Sequence, residues 1–209
     1  MVMVATKHND GLIDRLPLVS GRYEPFADLG SRSWFRTGGA AEVLFEPTDA
    51  DDLQIFMEGR PCGVAITIIG FGSNLLVRDS GVDGVVIHLG EAFAGIDFYG
   101  DTITAGASAL DVNVARTAQA RGISGMEFLS GIPGTIGGAV RMNAGAYGSE
   151  FANVALDVTV IDKRGGAHVL NSCQLDFSYR RSALPEGWVV ISARLQGEPG
   201  STEKIAERM

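Results

Sequence analysis

The first third of the chain alternates apolar runs with one amphipathic stretch, a pattern that predicts a strand, a helix and a second strand. Glu42–Phe45 is the first apolar run. Leu53, Phe56 and Met57 then recur at positions i, i+3 and i+4, the spacing of one face of a helix. Val64–Ile69 is almost continuously apolar and predicts the second strand. This unit therefore favours a small α/β layer.

Further along the chain the apolar runs are shorter and tight-turn residues separate them, which predicts a strand-rich second layer. The predicted strands are Val85–Leu89, Gly95–Tyr99, Thr102–Ala105, Val154–Asp162, Ala167–Leu170 and Trp188–Leu195. Turns at Gly100 and Gly165 have the spacing of hairpins. Ser108 with Asp111 is predicted to cap a helix that ends at Gly122. Near the start, Leu12–Leu18 favours a short helix.

Composition narrows the class of protein. With 209 residues, of which 45% are hydrophobic and 20% charged, the chain is expected to be soluble and to bury a sizeable core. Its net charge of −8 argues against a broad nucleic-acid surface but allows a local site for a small anion. The first ten residues lack a signal-peptide pattern, and no run approaches the ~20 apolar residues of a membrane span, so we expect a cytoplasmic protein.

Cysteine and histidine give no sign of a metal site. Cys62 and Cys173 show no ligand spacing, and we expect both to be small buried hydrophobes. His8, His88 and His168 are scattered and share no ligand spacing either. The sequence therefore predicts no metal.

Glycine is concentrated in one segment, Leu129–Gly148, which reads LSGIPGTIGGAVRMNAGAYG. Six of these twenty residues are glycine, and only Arg141 carries a formal charge. Each interior glycine costs a helix up to ~1 kcal/mol, so we do not expect an ordinary amphipathic helix here. Glycine also lets another group approach the main chain closely. The segment favours a backbone wrapped around a flat, phosphate-bearing cofactor, with a buried crossover as the alternative.

A second glycine-rich segment, Gly70–Val77, follows the second predicted strand. Its two glycines, serine and asparagine can present backbone N–H groups and short side chains to a phosphate. It is not the dinucleotide fingerprint, because Leu75 stands in place of the third glycine, and neither segment contains a Walker GK[ST] sequence. The residues Leu75–Arg78 resemble a strand, so a hairpin loop is the alternative. Two glycine-rich segments fit an extended cofactor held at two points.

A third candidate segment, Phe177–Ser182, places Arg180 and Arg181 beside Tyr179. Arginine stays protonated at working pH and therefore supplies a fixed positive charge for an anion, not a general base. A solvated surface pair is the alternative for these two residues.

Taken together, the segments Ser33–Ala41, Gly70–Val77, Ser130–Gly148 and Phe177–Ser182 resemble, in order and spacing, the UDP-N-acetylenolpyruvoylglucosamine reductase (MurB) family of peptidoglycan precursor synthesis. The resemblance implies an α+β, two-subdomain FAD-binding fold of the vanillyl-alcohol-oxidase/PCMH type. The implied divisions are an N-terminal segment at 1–30, a small α/β FAD-binding subdomain at 31–80, a second α+β FAD-binding subdomain at 81–198, and the start of a truncated C-terminal substrate domain at 199–209.

The resemblance also implies roles for single residues. Arg180 would be the catalytic residue and would contact the substrate together with Tyr179. The FAD pyrophosphate would lie on the first glycine-rich segment, and the flavin and ribityl chain on the second. The implied FAD-binding residues are Gly70, Phe71, Gly72, Ser73, Asn74, Leu75, Ser130, Gly131, Pro133, Gly134, Thr135, Gly137, Gly138, Asn143 and Gly145. FAD would be bound non-covalently, since neither segment contains histidine or cysteine, and NADPH would be the electron donor.

The resemblance ends before the family's C-terminal chemistry. The family's proton-donating serine, followed by Phe-Lys-Asn-Pro, has no counterpart here, and Ser201 instead begins a short predicted helix that contains Glu203. We therefore expect a monomeric chain that binds FAD but cannot efficiently reduce UDP-N-acetylglucosamine enolpyruvate to UDP-N-acetylmuramate. Another flavin oxidoreductase of the same fold and a non-catalytic flavin-binding module are the alternatives.

Overall fold

A four-stranded sheet occupies the first part of the chain. The computed structural model describes residues 11–209, so the predictions for His8 and the first ten residues lie outside it. The strands of this sheet are β1 (Arg22–Pro25), β2 (Ala41–Glu46), β3 (Ile66–Ile69) and β4 (Val82–His88), and helix α1 (Ala50–Gly59) connects β2 to β3. Their order is β1-β2-β4-β3, with β1 antiparallel to β2 and the other pairs parallel.

The burial of β2 and α1 follows from the sequence pattern. Strand β2 is apolar on both faces, as expected for a strand inside a partly parallel sheet. Asp49 caps α1 by accepting a hydrogen bond from the Asp52 backbone N–H at 2.8 Å. Leu53, Phe56 and Met57 are buried on one face of the helix, which confirms the predicted amphipathic stretch.

The second sheet is five-stranded and antiparallel throughout. Its strands are β5 (Ile96–Tyr99), β6 (Thr102–Gly106), β10 (Ala155–Ile161), β11 (Ala167–Asn171) and β12 (Val189–Gln196), in the order β11-β10-β12-β6-β5. Strands β5 and β6 pair directly, as do β10 and β11, so both predicted hairpins are confirmed.

Short elements complete the fold before, between and after these strands. The helices are α2 (Asp111–Ala120), α3 (Ile136–Met142), α4 (Ser172–Leu175) and α5 (Thr202–Arg208); the remaining strands are β7 (Ile123–Ser124), β8 (Gly145–Ala146), β9 (Ser149–Glu150) and β13 (Glu198–Pro199); and 3-10 helices span Leu12–Arg15, Glu91–Phe93, Glu127–Gly131 and Phe151–Asn153. Ser201 caps α5 by accepting a hydrogen bond from the Lys204 backbone N–H, as predicted. Strand β13 pairs with β7, and β8 pairs with β9.

One hydrophobic core joins the two sheets. Phe45 and Phe56 of the first sheet and its helix belong to the same buried cluster as Ile103 and Val160 of the second. The first sheet takes in β1 and β4, which lie on either side of the predicted subdomain limits 31–80, because the parallel pairing of β3 with β4 brings residues 82–88 into that sheet. The predicted domain limits themselves stay a prediction.

Several local predictions were wrong. Residues 75–78 are not a strand, and Gly70–Val77 is not a hairpin loop, because the strands that it connects run parallel. Cys62 and Cys173 are exposed. Cys62 follows the end of α1 in a turn, and Cys173 lies in the four-residue helix α4, of which only Leu175 is buried.

The cap and helix predictions around the second glycine-rich segment also need correction. Ser108 does not cap α2; its hydroxyl donates to the Leu89 carbonyl at 2.7 Å instead. The glycine-rich segment does contain an amphipathic helix, α3, in which Ile136, Ala139 and Val140 are buried at the i, i+3 and i+4 spacing. Packing of this face compensates for the intrinsic cost of glycine over only two turns.

Residues 11–209 contain neither a helix that could span a membrane nor a cluster of candidate metal ligands. None of the helices in this range has both the length and the apolar composition needed to cross a bilayer. The same residues contain no group of three or more histidine, cysteine, aspartate or glutamate side chains placed to hold a metal ion.

Candidate functional site

A cleft of about 900 Å³ lies between β3 with the loop that follows it and helix α3. Its walls come from three stretches that are far apart in the sequence, within residues 66–75, 132–144 and 180–190, together with Asp111. Clefts of roughly 300–1,000 Å³ are typical of small-molecule and cofactor sites. Both glycine-rich segments predicted from the sequence therefore face one cleft.

The first glycine-rich segment needs glycine for its own backbone geometry. Gly72 has φ +72° and is buried, and a Cβ there would lie 2.7 Å from the Arg32 carbonyl oxygen. A Cβ on Gly70 would lie 2.7 Å from the Thr135 hydroxyl oxygen. The two segments thus approach each other where the chain has no side-chain carbon to separate them.

The second glycine-rich segment uses its glycines in two different ways. Gly137 packs against the protein: its N–H donates to the Ala107 carbonyl at 2.9 Å, and a Cβ would meet Ala107 at 3.2 Å. Gly138 is exposed and lines the cleft, and a Cβ there would meet no protein atom within 4 Å. The helix therefore presents an open backbone face to the cleft.

The structure brings most of the predicted FAD-binding residues to this cleft. Those that line it are Gly70, Phe71, Gly72, Ser73, Asn74, Leu75, Pro133, Gly134, Thr135, Gly137 and Gly138. Ser130 and Gly131 do not. The Ser130 hydroxyl hydrogen-bonds the carbonyls of Glu127 at 2.7 Å and Met209 at 3.3 Å, and a Cβ on Gly131 would meet the Tyr147 ring at 2.4 Å.

A second, smaller cavity of about 470 Å³ adjoins the first and holds the remaining predicted residues. Asn143 and Gly145 line it, as does Tyr179. Asn143 has φ +40°, is buried, donates to the Ser178 carbonyl at 3.1 Å and accepts from the Ala152 N–H at 2.9 Å. Its side chain therefore fixes the turn that carries Tyr179.

Arg180 is the residue common to both cavities. It occupies a tight turn with φ +57°, closed by hydrogen bonds between Ser178 and Arg181. Its guanidinium carbon lies 5.7 Å from the Tyr179 ring centre, and both side chains are exposed. The turn thus directs one cation to the junction of the two cavities, while Arg181 lines neither.

Sequence reasoning missed several side chains that line the large cleft. Among them are Asp111, Arg141, Glu186 and Trp188. The sequence pattern indicates for Asp111 only a part in a helix cap. Its carboxyl is fully buried, and burial raises its pKa to about 7. The basic character of Arg141 was visible as the one charge in the glycine-rich segment, but nothing local indicated the other three.

Several observations fit a cofactor of the size and polarity of FAD. The cleft is large, its walls include open backbone at Gly138, and two arginines, Arg141 and Arg180, can offset the charge of an anion. The buried carboxyl of Asp111 has no hydrogen-bond partner among residues 11–209 and stands at the cleft wall. These are features of a binding site rather than of a packed crossover.

Comparisons with known proteins define the class. A family model described as FAD binding domain matches residues 41–171, which is more than half of the chain. The 6-hydroxy-D-nicotine oxidase of Arthrobacter nicotinovorans superposes with a TM-score of 0.65 at 17% identity over 87% of this chain and 43% of that one, a likeness of fold alone. The chain is an FAD-binding-domain protein, and its predicted fold class is confirmed.

Closer relatives then specify the family. The UDP-N-acetylenolpyruvoylglucosamine reductase of Paramagnetospirillum magneticum is 54% identical over 99% of this chain and 67% of its own length, and that of Rhodospirillum rubrum is 52% identical over 99% and 65%. The crystal structure of MurB from Thermus caldophilus superposes with a TM-score of 0.80, at 35% identity over 90% of this chain and 67% of that one. The chain belongs to the MurB family and spans about two thirds of the length of these relatives.

Proposed function

We propose that this chain binds FAD non-covalently in the large cleft and takes part in the NADPH-dependent reduction of UDP-N-acetylglucosamine enolpyruvate to UDP-N-acetylmuramate. The observation that carries the proposal is the meeting of Gly70–Leu75 and Pro133–Gly138 across one cleft, within a chain of the MurB family. FAD, when bound, supplies the hydride chemistry.

In this proposal the chain holds the cofactor mainly through its backbone. Gly70–Leu75 would contact the pyrophosphate, and the open face of α3 at Gly138 would lie against the flavin part. Asn143 and Gly145 would act from the second cavity, where Asn143 holds the Tyr179 turn. No histidine or cysteine of the described residues lines either cavity, which favours non-covalent binding.

Arg180 is proposed as the catalytic residue. A hydride added to the enolpyruvyl double bond builds negative charge next to the substrate carboxylate, and a fixed guanidinium there stabilises that charge. Arg180 reaches both cavities, so it can contact a carboxylate in the small cavity beside a flavin in the large one. Tyr179 is proposed as a substrate contact at the same turn.

Purification and flavin titration test the binding half of this proposal. We expect the chain to take up FAD, with an absorbance band that shifts from that of free FAD, and to release all of it on acid denaturation. Flavin that survives denaturation would indicate the alternative, a covalent oxidoreductase of the same fold. A chain that takes up no added FAD would refute the proposal.

The catalytic half is tested with substrate and with two neighbouring arginines. Arg180→Met is expected to raise at least tenfold the concentration of enolpyruvyl substrate that is needed to change the flavin spectrum. FAD binding itself should stay intact. Arg181→Met is the matched control, because Arg181 lines neither cavity. Equal effects of the two substitutions would refute the assignment of Arg180.

We further propose that the chain by itself accepts electrons from NADPH but passes them to the enolpyruvyl substrate slowly. The family's serine proton donor has no match here, and Ser201 is occupied as the cap of α5, where its hydroxyl also contacts Glu203 at 2.6 Å. NADPH oxidation that substrate accelerates to many turnovers per second would contradict this. Flavin uptake with no NADPH oxidation at all would favour a non-catalytic flavin-binding module.

A further inference from the structure

Asp111 is a buried acid with an unusual setting. Its side chain has no exposed surface, and neither carboxyl oxygen has a hydrogen-bond partner within residues 11–209. It lines the large cleft. A buried unpaired carboxyl costs stability, so such a group calls for an explanation in function or in a ligand.

The position of Asp111 is fixed by backbone contacts and not by its carboxyl. Its N–H donates to the Gly134 carbonyl at 3.1 Å, and Leu110 and Thr135 form a β-bridge beside it. A Cβ on Gly134 would come within 2.9 Å of the Asp111 Oδ2 atom and 3.8 Å of the Ser73 hydroxyl. The carboxyl and the Ser73 hydroxyl therefore border the same point, between the two glycine-rich segments.

No cation among residues 11–209 pairs with this carboxyl. The other charged groups that line the cleft are Arg141, Arg180 and Glu186, and none of them bonds to it. Arg141 instead hydrogen-bonds the Leu184 carbonyl. Burial alone raises the Asp111 pKa to about 7, so the group takes up a proton near neutral pH without help from a neighbouring charge.

On the basis of the FAD site proposed above, we propose that the Asp111 carboxyl turns into the cleft when the cofactor binds and, as a neutral acid, donates a hydrogen bond to an anionic diphosphate oxygen. The charged carboxylate would be repelled by that diphosphate, whereas the protonated carboxyl has an O–H to offer. The Ser73 hydroxyl, which belongs to the segment proposed to hold the diphosphate, borders the same point, which is why the diphosphate is the group contacted there. Cofactor binding is then coupled to the uptake of one proton.

The coupling predicts how FAD affinity depends on pH. If only the protonated form binds well, Kd is nearly constant below pH 7 and rises about tenfold per pH unit above it. We expect FAD to bind about tenfold more weakly at pH 8 than at pH 6. Asp111→Asn keeps an N–H donor of similar shape at all pH values, so it should bind FAD about as tightly as the wild type at pH 6 and show no such dependence.

The experiment is a titration of FAD by flavin fluorescence between pH 6 and pH 8.5. It compares wild type, Asp111→Asn, Asp111→Leu and, as a control acid outside both cavities, Asp97→Asn. Asp111→Leu removes the donor and should bind at least tenfold more weakly at pH 6, while Asp97→Asn should follow the wild type. Circular dichroism of each variant without FAD verifies that it is folded.

The possible results separate this inference from the proposed function. Wild-type affinity that is flat with pH, with Asp111→Asn and Asp111→Leu both unchanged, would overturn the inference while leaving the FAD site intact. An FAD affinity that rises with pH, together with weaker FAD binding by Asp111→Asn, would indicate that an ionised Asp111 carboxylate accepts a hydrogen bond from a hydroxyl group of FAD. That result would also overturn proton donation by Asp111. Failure of the wild type to bind FAD at every pH would refute the proposed site itself and the inference with it.

Discussion

Gly138 is a position where a single methyl group is expected to change protein stability and cofactor affinity in opposite directions. It lies in the first turn of α3, lines the cleft, and has no protein atom within 4 Å of a Cβ. Alanine loses less conformational entropy than glycine in a helix, so Gly138→Ala should stabilise the chain without FAD by up to ~1 kcal/mol. In a chain of this length that corresponds to an increase of about 2–4 °C in Tm.

Bound FAD should reverse the order of the melting temperatures of the wild type and Gly138→Ala. The new methyl group occupies space in the cleft, so we expect FAD to bind about tenfold more weakly. This loss of affinity corresponds to ~1.4 kcal/mol. With FAD at 100 times the wild-type Kd, the wild type gains ~2.7 kcal/mol from binding but the variant only ~1.4. The difference of ~1.3 kcal/mol exceeds the gain from helix propensity. Gly138→Ala should therefore melt above the wild type without FAD and below it with FAD.

Thermal unfolding followed by circular dichroism, with and without FAD, measures both effects, and a fluorescence titration gives the Kd. Gly95→Ala is the matched control, because a Cβ there also meets no atom within 4 Å but Gly95 lies outside the cleft. Its FAD Kd should equal that of the wild type. An unchanged Kd in Gly138→Ala would refute the assignment of this face of α3 to the cofactor.

Three further predictions concern stability and use urea unfolding. Phe56→Ala should lower the free energy of unfolding by about 3–5 kcal/mol, since Phe56 is fully buried against Tyr23 and Phe45. Ile55→Ala, at the half-exposed neighbouring position, should lower it by under ~1 kcal/mol. Equal losses would contradict the assigned helix face. Asp52→Ala should lower the free energy of unfolding by about 2–4 kcal/mol, because the carboxylate accepts hydrogen bonds from three backbone N–H groups at 2.6–3.1 Å. Asp51 is exposed, so Asp51→Ala should leave the free energy of unfolding nearly unchanged. Without FAD, the wild type should lose stability relative to Asp111→Asn as pH rises from about 4 to 7, by roughly 4 kcal/mol at most, because in this window folded Asp111 holds a proton that the unfolded chain has released. An identical pH dependence of the two proteins would refute this.

Periodicity predicted the elements whose burial is set locally. The helix with Leu53 and Phe56 follows from residue spacing, because its one apolar face is buried, and the β10–β11 hairpin follows from the turn at Gly165 between two strand-like runs. The parallel pairing of β3 with β4 could not be predicted in this way. It depends on a connection across the sheet, and Leu75–Arg78 has a strand-like composition although it forms part of that connection.

The lining of the cleft was predicted at the glycine-rich segments and at Arg180, but not at Asp111, Glu186 or Trp188. Glycines at 70, 72, 137 and 138 indicate close approach or open backbone from composition alone, and all four line the cleft. Ser130 and Gly131 belong to the same glycine-rich segment, but their 3-10 turn faces Tyr147 and the Met209 carbonyl. Local sequence marks a segment as unusual, while the fold decides which of its residues line the cleft.

Asp111 shows why that limit matters for chemistry. An acid at the first position of a helix stabilises the helix dipole when it is exposed, so from sequence Asp111 is indistinguishable from the acids that begin α1. Its distinct behaviour comes from tertiary contacts: the 107–111 segment pairs with 134–137, and this pairing buries the carboxyl at the cleft wall beside Gly134. An aspartate that the local pattern assigns to helix stability thereby becomes the acid whose protonation state should control the affinity of the site.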